Sequence, residues 1–323
     1  MPLNLTAKDI VGVCSMPPTP STPDGSDWRT TNSVDLNTSN KMFSMLMKSG
    51  VKGLALCGTT GEGAGLLWEE KRAYIGTAVE ATRGKAFMFA GATALGTKET
   101  IRQMREFRKM GVEGGFIGLP LWQTPTVENA IQYYADLSEA VPDMSLMIYG
   151  NTTVFKFGYP PEFWAGVAKK APTFITNKIS YGSDHIAEDK AAAGPNVRFM
   201  PSRGNIQRVY AKIPNDCYGL WSTDPWPEPY VALANALIKR DDVKVKAIFA
   251  ELNALPSRNP PNAGDEFRGY NTQVERQGWN SSDYLHLGPP RPPYRDLPDH
   301  WVKSIEHHAK AWQDYAKRYV GVA

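Results

Sequence analysis

Short, continuous apolar runs alternate with amphipathic stretches along most of this chain, and that rhythm restricts the fold more than any other feature. The runs are Ile10 to Ser15, Val51 to Cys57, Ala86 to Ala92, Gly115 to Leu119, Ser145 to Gly150, Phe174 to Ile179, Val197 to Met200 and Asp216 to Trp221. They are apolar throughout instead of alternating, which is the pattern of strands buried on both faces of a parallel sheet. Parallel neighbours need crossover connections, and helical patterns fill the gaps. Phe43, Leu46 and Met47 fall at i, i+3 and i+4, with Gly50 where a C-terminal cap is expected. Thr97 to Met110 sets Ile101, Met104 and Phe107 on one side and basic residues on the other. Glu128 to Ala140 and Pro227 to Ile238 behave similarly, the latter with proline at its start. Eight strand-then-helix units predict an α/β protein, a (β/α)₈ TIM barrel. The alternative is a doubly wound open sheet, which would bring a dinucleotide fingerprint, and none occurs.

After about residue 240 the rhythm breaks. Val243 to Leu255 reads as a helix, then Pro256, Pro260 and Pro261 interrupt. A proline-rich stretch, Gly288 to Tyr294, precedes a last helix from about Pro298 to Tyr319. Its stripe of Trp301, Ile305, Ala309, Trp312, Ala316 and Tyr319 is expected to pack on the barrel or on a neighbouring subunit. The expected organisation is one domain over residues 1–323, with the barrel at about 8–240 and a C-terminal helical and proline-rich extension at about 241–323.

The formal charge is only +3, and Lys and Arg are scattered among Asp and Glu, so neither nucleic acid nor an anionic membrane is expected as main partner. The opening MPLNLTAKDIVGV has no basic segment followed by an apolar one, so no signal peptide is read. Cys14, Cys57 and Cys217 are far apart, odd in number and set in apolar runs. They read as reduced core thiols of a cytoplasmic protein.

Barrel chemistry sits at the C-terminal ends of the strands. There the second run ends in Gly58-Thr-Thr-Gly-Glu-Gly63, the fourth enters Pro120-Leu-Trp122, the fifth ends at Tyr149, the sixth holds Lys178 and the eighth ends at Trp221. Lys178 lies inside an apolar run, where a lysine is costly. One reading is a nucleophilic amine whose pKa is lowered by desolvation; the other is a lysine whose ammonium reaches solvent. Tyr149 at the neighbouring strand end favours the first, because one phenol can both donate and accept a proton. The Gly58 to Gly63 turn offers backbone N–H groups and the Thr59 and Thr60 hydroxyls, enough to hold a carboxylate. No Gly-Lys-Ser/Thr follows it, so it is not a nucleotide loop; Glu62 reads as a brace for the turn. None of the five histidines falls at a strand end, and no metal is expected.

Gly58-Thr-Thr-Gly-Glu62, Tyr149 and Lys178, in this order and spacing, resemble the dihydrodipicolinate synthase/N-acetylneuraminate lyase superfamily over residues of about 8 to 240. The resemblance implies Lys178 as a Schiff-base lysine, Tyr149 as proton relay, Thr59 and Thr60 as binders of a pyruvate carboxylate, and a homotetramer. Trp122 stands where the synthases have a tyrosine, and Gly150-Asn-Thr-Thr153 lacks their arginine, which argues against lysine-pathway synthesis. Tyr270-Asn271, Gly278-Trp-Asn280 and Gly288 to Tyr294 resemble the trans-o-hydroxybenzylidenepyruvate hydratase-aldolases. That likeness implies hydration and cleavage of an arylidenepyruvate to an aromatic aldehyde and pyruvate. It also implies that Trp221 and one asparagine, Asn280 ahead of Asn271, serve the water, and that no cofactor is needed beyond the Lys178 imine. Trp122 and Trp221 could hold the aryl ring. Two rival readings are another keto-acid lyase of the superfamily and a catalytically silent keto-acid-binding barrel.

Overall fold

A computed structural model describes residues 5–180, 184–261 and 263–321; the first four residues of the opening segment read above lie outside them. The described residues form eight strands: β1 (Gly12–Ser15), β2 (Gly53–Leu56), β3 (Phe87–Gly91), β4 (Gly114–Ile117), β5 (Ser145–Gly150), β6 (Phe174–Ile179), β7 (Arg198–Met200) and β8 (Gly219–Ser222). They form one sheet in the order β7-β6-β5-β4-β3-β2-β1-β8, and a parallel bridge from Ser202 to Trp221 joins the end of β7 to β8. The fold is a (β/α)₈ barrel with further helices at Asp242–Asn253, Phe267–Asn280 and Asp299–Ala316.

Strand limits follow local chemistry. β5 and β6 occupy the apolar runs from end to end and are buried throughout. β1 starts later than its apolar run, because Ala7–Asp9 is a 3₁₀ turn capped by Asp9 and Gly12 takes a φ of +81°. β8 likewise starts at Gly219, because Pro214–Asp216 forms a 3₁₀ turn where extended chain was expected. Proline, with its fixed φ and no N–H, suits the first position of such a turn.

The chain gathers into two compact units: Met1–Gly12, Gly53–Ala55 and Phe87–Trp221 in one, and Val13–Lys52, Leu56–Ala86 and Ser222–Ala323 in the other. Within the first, β5 and β6 pair in parallel with Tyr149 opposite Lys178, and β6 pairs with β7 with Lys178 opposite Met200. An aromatic cluster backs these strands. Trp164, on the helix Pro161–Lys170, stacks on Phe174 at 6.0 Å and tilts against Phe199 at 5.2 Å. Such pairs add about 0.5–1.5 kcal/mol each beyond area burial, so the strand carrying Lys178 is firmly seated.

In the second unit, Trp301 and Ile305 of the last helix form a buried cluster with Ala263 and Val274, against which Phe267 and Tyr270 pack. Trp312 stacks on Tyr230 at 4.9 Å and donates its indole N–H to the Pro225 carbonyl at 2.8 Å. The tryptophan stripe therefore packs within its own chain, and Tyr319 is only half-buried. Among the described residues no helix is long and apolar enough to cross a membrane.

Candidate active site

Lys178 is the centre of a tight polar and aromatic group in the first unit. It is only 6% exposed, and its Nζ lies 3.8 Å from the centroid of the Trp221 ring and 4.2 Å from that of Tyr149. The same nitrogen donates to Ser180 Oγ at 2.5 Å. The strand register explains the gathering: Tyr149 and Lys178 are direct partners across β5 and β6. Trp221 donates its Nε1–H to the Ile179 carbonyl at 3.1 Å, which fixes the indole face beneath the lysine nitrogen. With that N–H spent, Trp221 presents its ring face and not its donor.

Tyr149 is held by its own neighbours. Its ring stacks on Phe116 at 4.7 Å and meets Phe155 edge-on at 5.2 Å. Asn151 donates from Nδ2 to the Tyr149 hydroxyl at 3.3 Å, while its Oδ1 accepts from the backbone of Thr153 and Val154. One asparagine thus caps the short helix Thr152–Phe155 and orients the phenol. Tyr159 donates its own hydroxyl to the Tyr149 carbonyl at 3.2 Å, and burial pushes the Tyr159 phenol far above its ordinary value. Tyr159 is therefore a fixed neutral donor. Trp122, on the loop after β4, is 86% exposed.

Sequence reasoning missed Ser180 and Asn151. Asn151 carried a partial signal, an asparagine before Thr-Thr-Val at a strand end, the place for an N-cap. Ser180 carried none beyond lying two residues after the lysine.

Thr59 and Thr60 belong to the second unit, on the turn after β2. Gly63 N–H donates to the Gly58 carbonyl at 3.0 Å and Glu62 N–H to the Thr59 carbonyl at 2.9 Å. A Cβ at Gly63 would fall 2.0 Å from the Cys57 carbonyl oxygen, so only glycine fits there. Cys57 and Glu62 both take positive φ, +57° and +52°. Burial pushes the Cys57 thiol up to about 11, against the pull of Lys71 and Arg291. The thiol stays protonated at neutral pH, so alkylating reagents should leave Cys57 of the folded protein untouched. Fast labelling of Cys57 under native conditions, read by peptide mass spectrometry, would contradict this. None of Cys14, Cys57 and Cys217 is in a disulfide.

The two asparagines separate clearly. Both lie on the helix Phe267–Asn280. Asn280 donates from Nδ2 to the Gly288 carbonyl at 2.9 Å and accepts the Leu287 N–H at 2.7 Å, so both amide atoms pin the chain that follows. It lines a pocket of about 430 Å³ with Gln277, His286 and Arg295. Asn271 is adjacent to Thr272, whose hydroxyl donates to the Thr59 carbonyl at 3.3 Å. Among the described residues no three His, Cys, Asp or Glu side chains gather as a metal site.

Residues 21–156 match the dihydrodipicolinate synthetase family. A trans-o-hydroxybenzylidenepyruvate hydratase-aldolase of Pseudomonas putida is 38% identical over 98% of this chain and 96% of its own. The enzyme of that name from Sphingobium xenophagum is 32% identical over 96% and 95%. Among solved structures, one described as PhdJ bound to substrate intermediate superposes with a TM-score of 0.92 at 29% identity, covering 98% of this chain and 99% of that one.

Proposed function

We propose that this chain, which belongs to the trans-o-hydroxybenzylidenepyruvate hydratase-aldolase family, hydrates and cleaves a trans-arylidenepyruvate, such as trans-o-hydroxybenzylidenepyruvate, to an aromatic aldehyde and pyruvate. The single observation that carries the chemistry is the buried Lys178 nitrogen between two ring faces and a hydroxyl. A buried amine with a neighbouring phenol is what imine formation with a ketone requires.

Lys178 Nζ adds to the C2 ketone, and Ser180 and Tyr149 carry protons as the carbinolamine loses water. Thr59 and Thr60 take the substrate carboxylate, following the family pattern. The protonated imine withdraws electrons from the conjugated chain and makes C4 electrophilic. Water adds at C4, the enamine so formed takes a proton at C3 to restore the protonated imine, and Tyr149 then removes the proton of the new C4 hydroxyl. The C3–C4 bond then breaks, the aldehyde leaves, and its electron pair becomes the enamine. Protonation at C3 and hydrolysis release pyruvate and the free lysine. One water enters at C4; the water lost on imine formation is returned at hydrolysis. The imine supplies the electron sink, so the reaction as written uses no metal and no organic cofactor. Trp221 offers its face to the substrate's conjugated system, and exposed Trp122 is available to cover an aryl ring. We further place the enzyme in the cytoplasm as a homotetramer, on the cysteine pattern and the family resemblance.

Asn271, not Asn280, is assigned to the water. Asn280 has both amide atoms committed to backbone, whereas Asn271 neighbours the Thr272 contact to the turn. Asn271→Ala should lower kcat/KM for the arylidenepyruvate by roughly 10–100-fold with unchanged stability, on the scale of one lost polar contact to the transition state. Asn280→Ala should instead cost about 1–3 kcal/mol of stability by leaving backbone groups unpaired. Steady-state rates and thermal melts of the two variants read this, and the reverse pattern would hand the role to Asn280.

The overall reading is tested by following the near-ultraviolet absorbance of trans-o-hydroxybenzylidenepyruvate and quantifying pyruvate. Loss of absorbance with equimolar pyruvate is expected. A folded protein that leaves this substrate unchanged and instead cleaves sugar acids would move it elsewhere in the superfamily.

A further inference from the structure

Glu62 is the one acidic residue of the Gly58 to Gly63 turn, and it is fully committed inside the protein. Its Oε2 accepts from Arg276 Nη2 and from Arg291 Nη1, the latter at 2.5 Å, and its Oε1 accepts the Arg291 backbone N–H at 3.1 Å. The two arginines lie 214 and 229 residues further along the chain, in the segment beyond the last barrel strand. Each is itself anchored. Arg276 donates to the Leu287 and Thr19 carbonyls, both at 2.8 Å. Arg291 donates to the carbonyls of Thr19, Pro20 and Ser33 and, from Nε, to Ser33 Oγ at 2.7 Å. Ser33 passes the chain of contacts on to Glu70 at 2.6 Å.

A glutamate in the left-handed conformation is unusual, since glycine adopts it without steric penalty. The two guanidiniums explain why a side chain is kept there: a carboxylate at this position receives one N–H from each of them at the same oxygen, and the Arg291 backbone N–H at the other. The turn is fixed from its other flanks too. Thr19 Oγ1 donates to the Gly61 carbonyl at 2.7 Å, and Thr272 Oγ1 contacts the Thr59 carbonyl. Rotation of Glu62 would carry Thr60 and Gly61 with it, because φ and ψ are the only soft angles of the backbone.

We propose that Glu62, Arg276 and Arg291 are positioning residues for carboxylate recognition: the two arginines lock Glu62 and thereby set the Thr59 and Thr60 donors, without touching substrate. The proposal rests on the reading that Thr59 and Thr60 take the keto-acid carboxylate. It makes substrate affinity depend on a C-terminal segment that contributes through the turn.

The test is borohydride trapping of the full-length enzyme with pyruvate and, separately, with methyl pyruvate, which has the ketone but no free carboxylate. Arg291→Lys keeps the positive charge and loses the planar fork. Misplacing the donors by a fraction of an ångström should raise the pyruvate concentration for half-maximal trapping about tenfold, with the plateau unchanged and methyl pyruvate trapped as by the wild type. Arg276→Lys is the second variant should Arg291→Lys fail to fold, as judged by its melt. An unchanged pyruvate dependence, or an equal rise for both ketones, in a folded variant overturns the positioning role alone. Wild-type protein that traps neither ketone overturns the Schiff-base reading, and the positioning role with it.

Discussion

Lys178→Ala is expected to lose turnover by at least roughly 10³-fold and to form no borohydride-stable adduct, because the substitution removes the amine on which the proposed imine forms. Its surroundings make the effect specific. Nζ is buried against Trp221 and Tyr149 and hydrogen-bonded to Ser180. Lys178→Arg is the matched control: it keeps charge and most of the volume but has no nucleophilic amine at neutral pH, and it should be equally inactive. Progress curves on the arylidenepyruvate, beside thermal melts, measure it, and a near-normal rate in either variant would remove Lys178 from the chemistry.

Tyr149→Phe should lower kcat by roughly 10²–10⁴-fold, the usual range for losing a positioned proton-transfer group, while imine trapping with pyruvate persists. The split follows from which part of the side chain does what. Phenylalanine keeps the stack on Phe116, the edge contact to Phe155 and the ring face toward Lys178. The hydroxyl and its 3.3 Å contact from Asn151 are lost. Asn151 retains its cap through Oδ1, so stability should change by no more than about 1 kcal/mol. A turnover number equal to wild type would take Tyr149 out of the proton path. Loss of trapping together with turnover would mean that the phenol acts earlier, in imine formation.

The fold was legible because buried parallel strands leave an unambiguous trace. Ser145–Gly150 and Phe174–Ile179 coincide at both ends with the apolar runs that signal them, since turn residues bound each run. The shifted start of β8 has a local cause, Pro214 opening a 3₁₀ turn, that apolarity does not encode. Lys178 stood out because a lysine within an apolar strand is costly, and Tyr149 because it ends the neighbouring strand. Ser180 and Asn151 did not stand out, because a serine or asparagine after a strand is ordinary until its partner is known. The proposed preference for Asn271 over Asn280 was equally hidden: they share one helix, and it is the committed Asn280 amide that bears on the choice. The arginine partners of Glu62 are further still from sequence reach, since charge complementarity across more than two hundred residues leaves no local pattern.

The central claim is that this protein's chemistry runs through an imine on Lys178. Peptide mass spectrometry of the enzyme reduced by borohydride in the presence of pyruvate tests it most directly. The account predicts one reduced pyruvyl adduct, on the peptide bearing Lys178 and on that lysine alone. An adduct on a different lysine, or substrate turnover by an enzyme that forms no adduct at all, would contradict it.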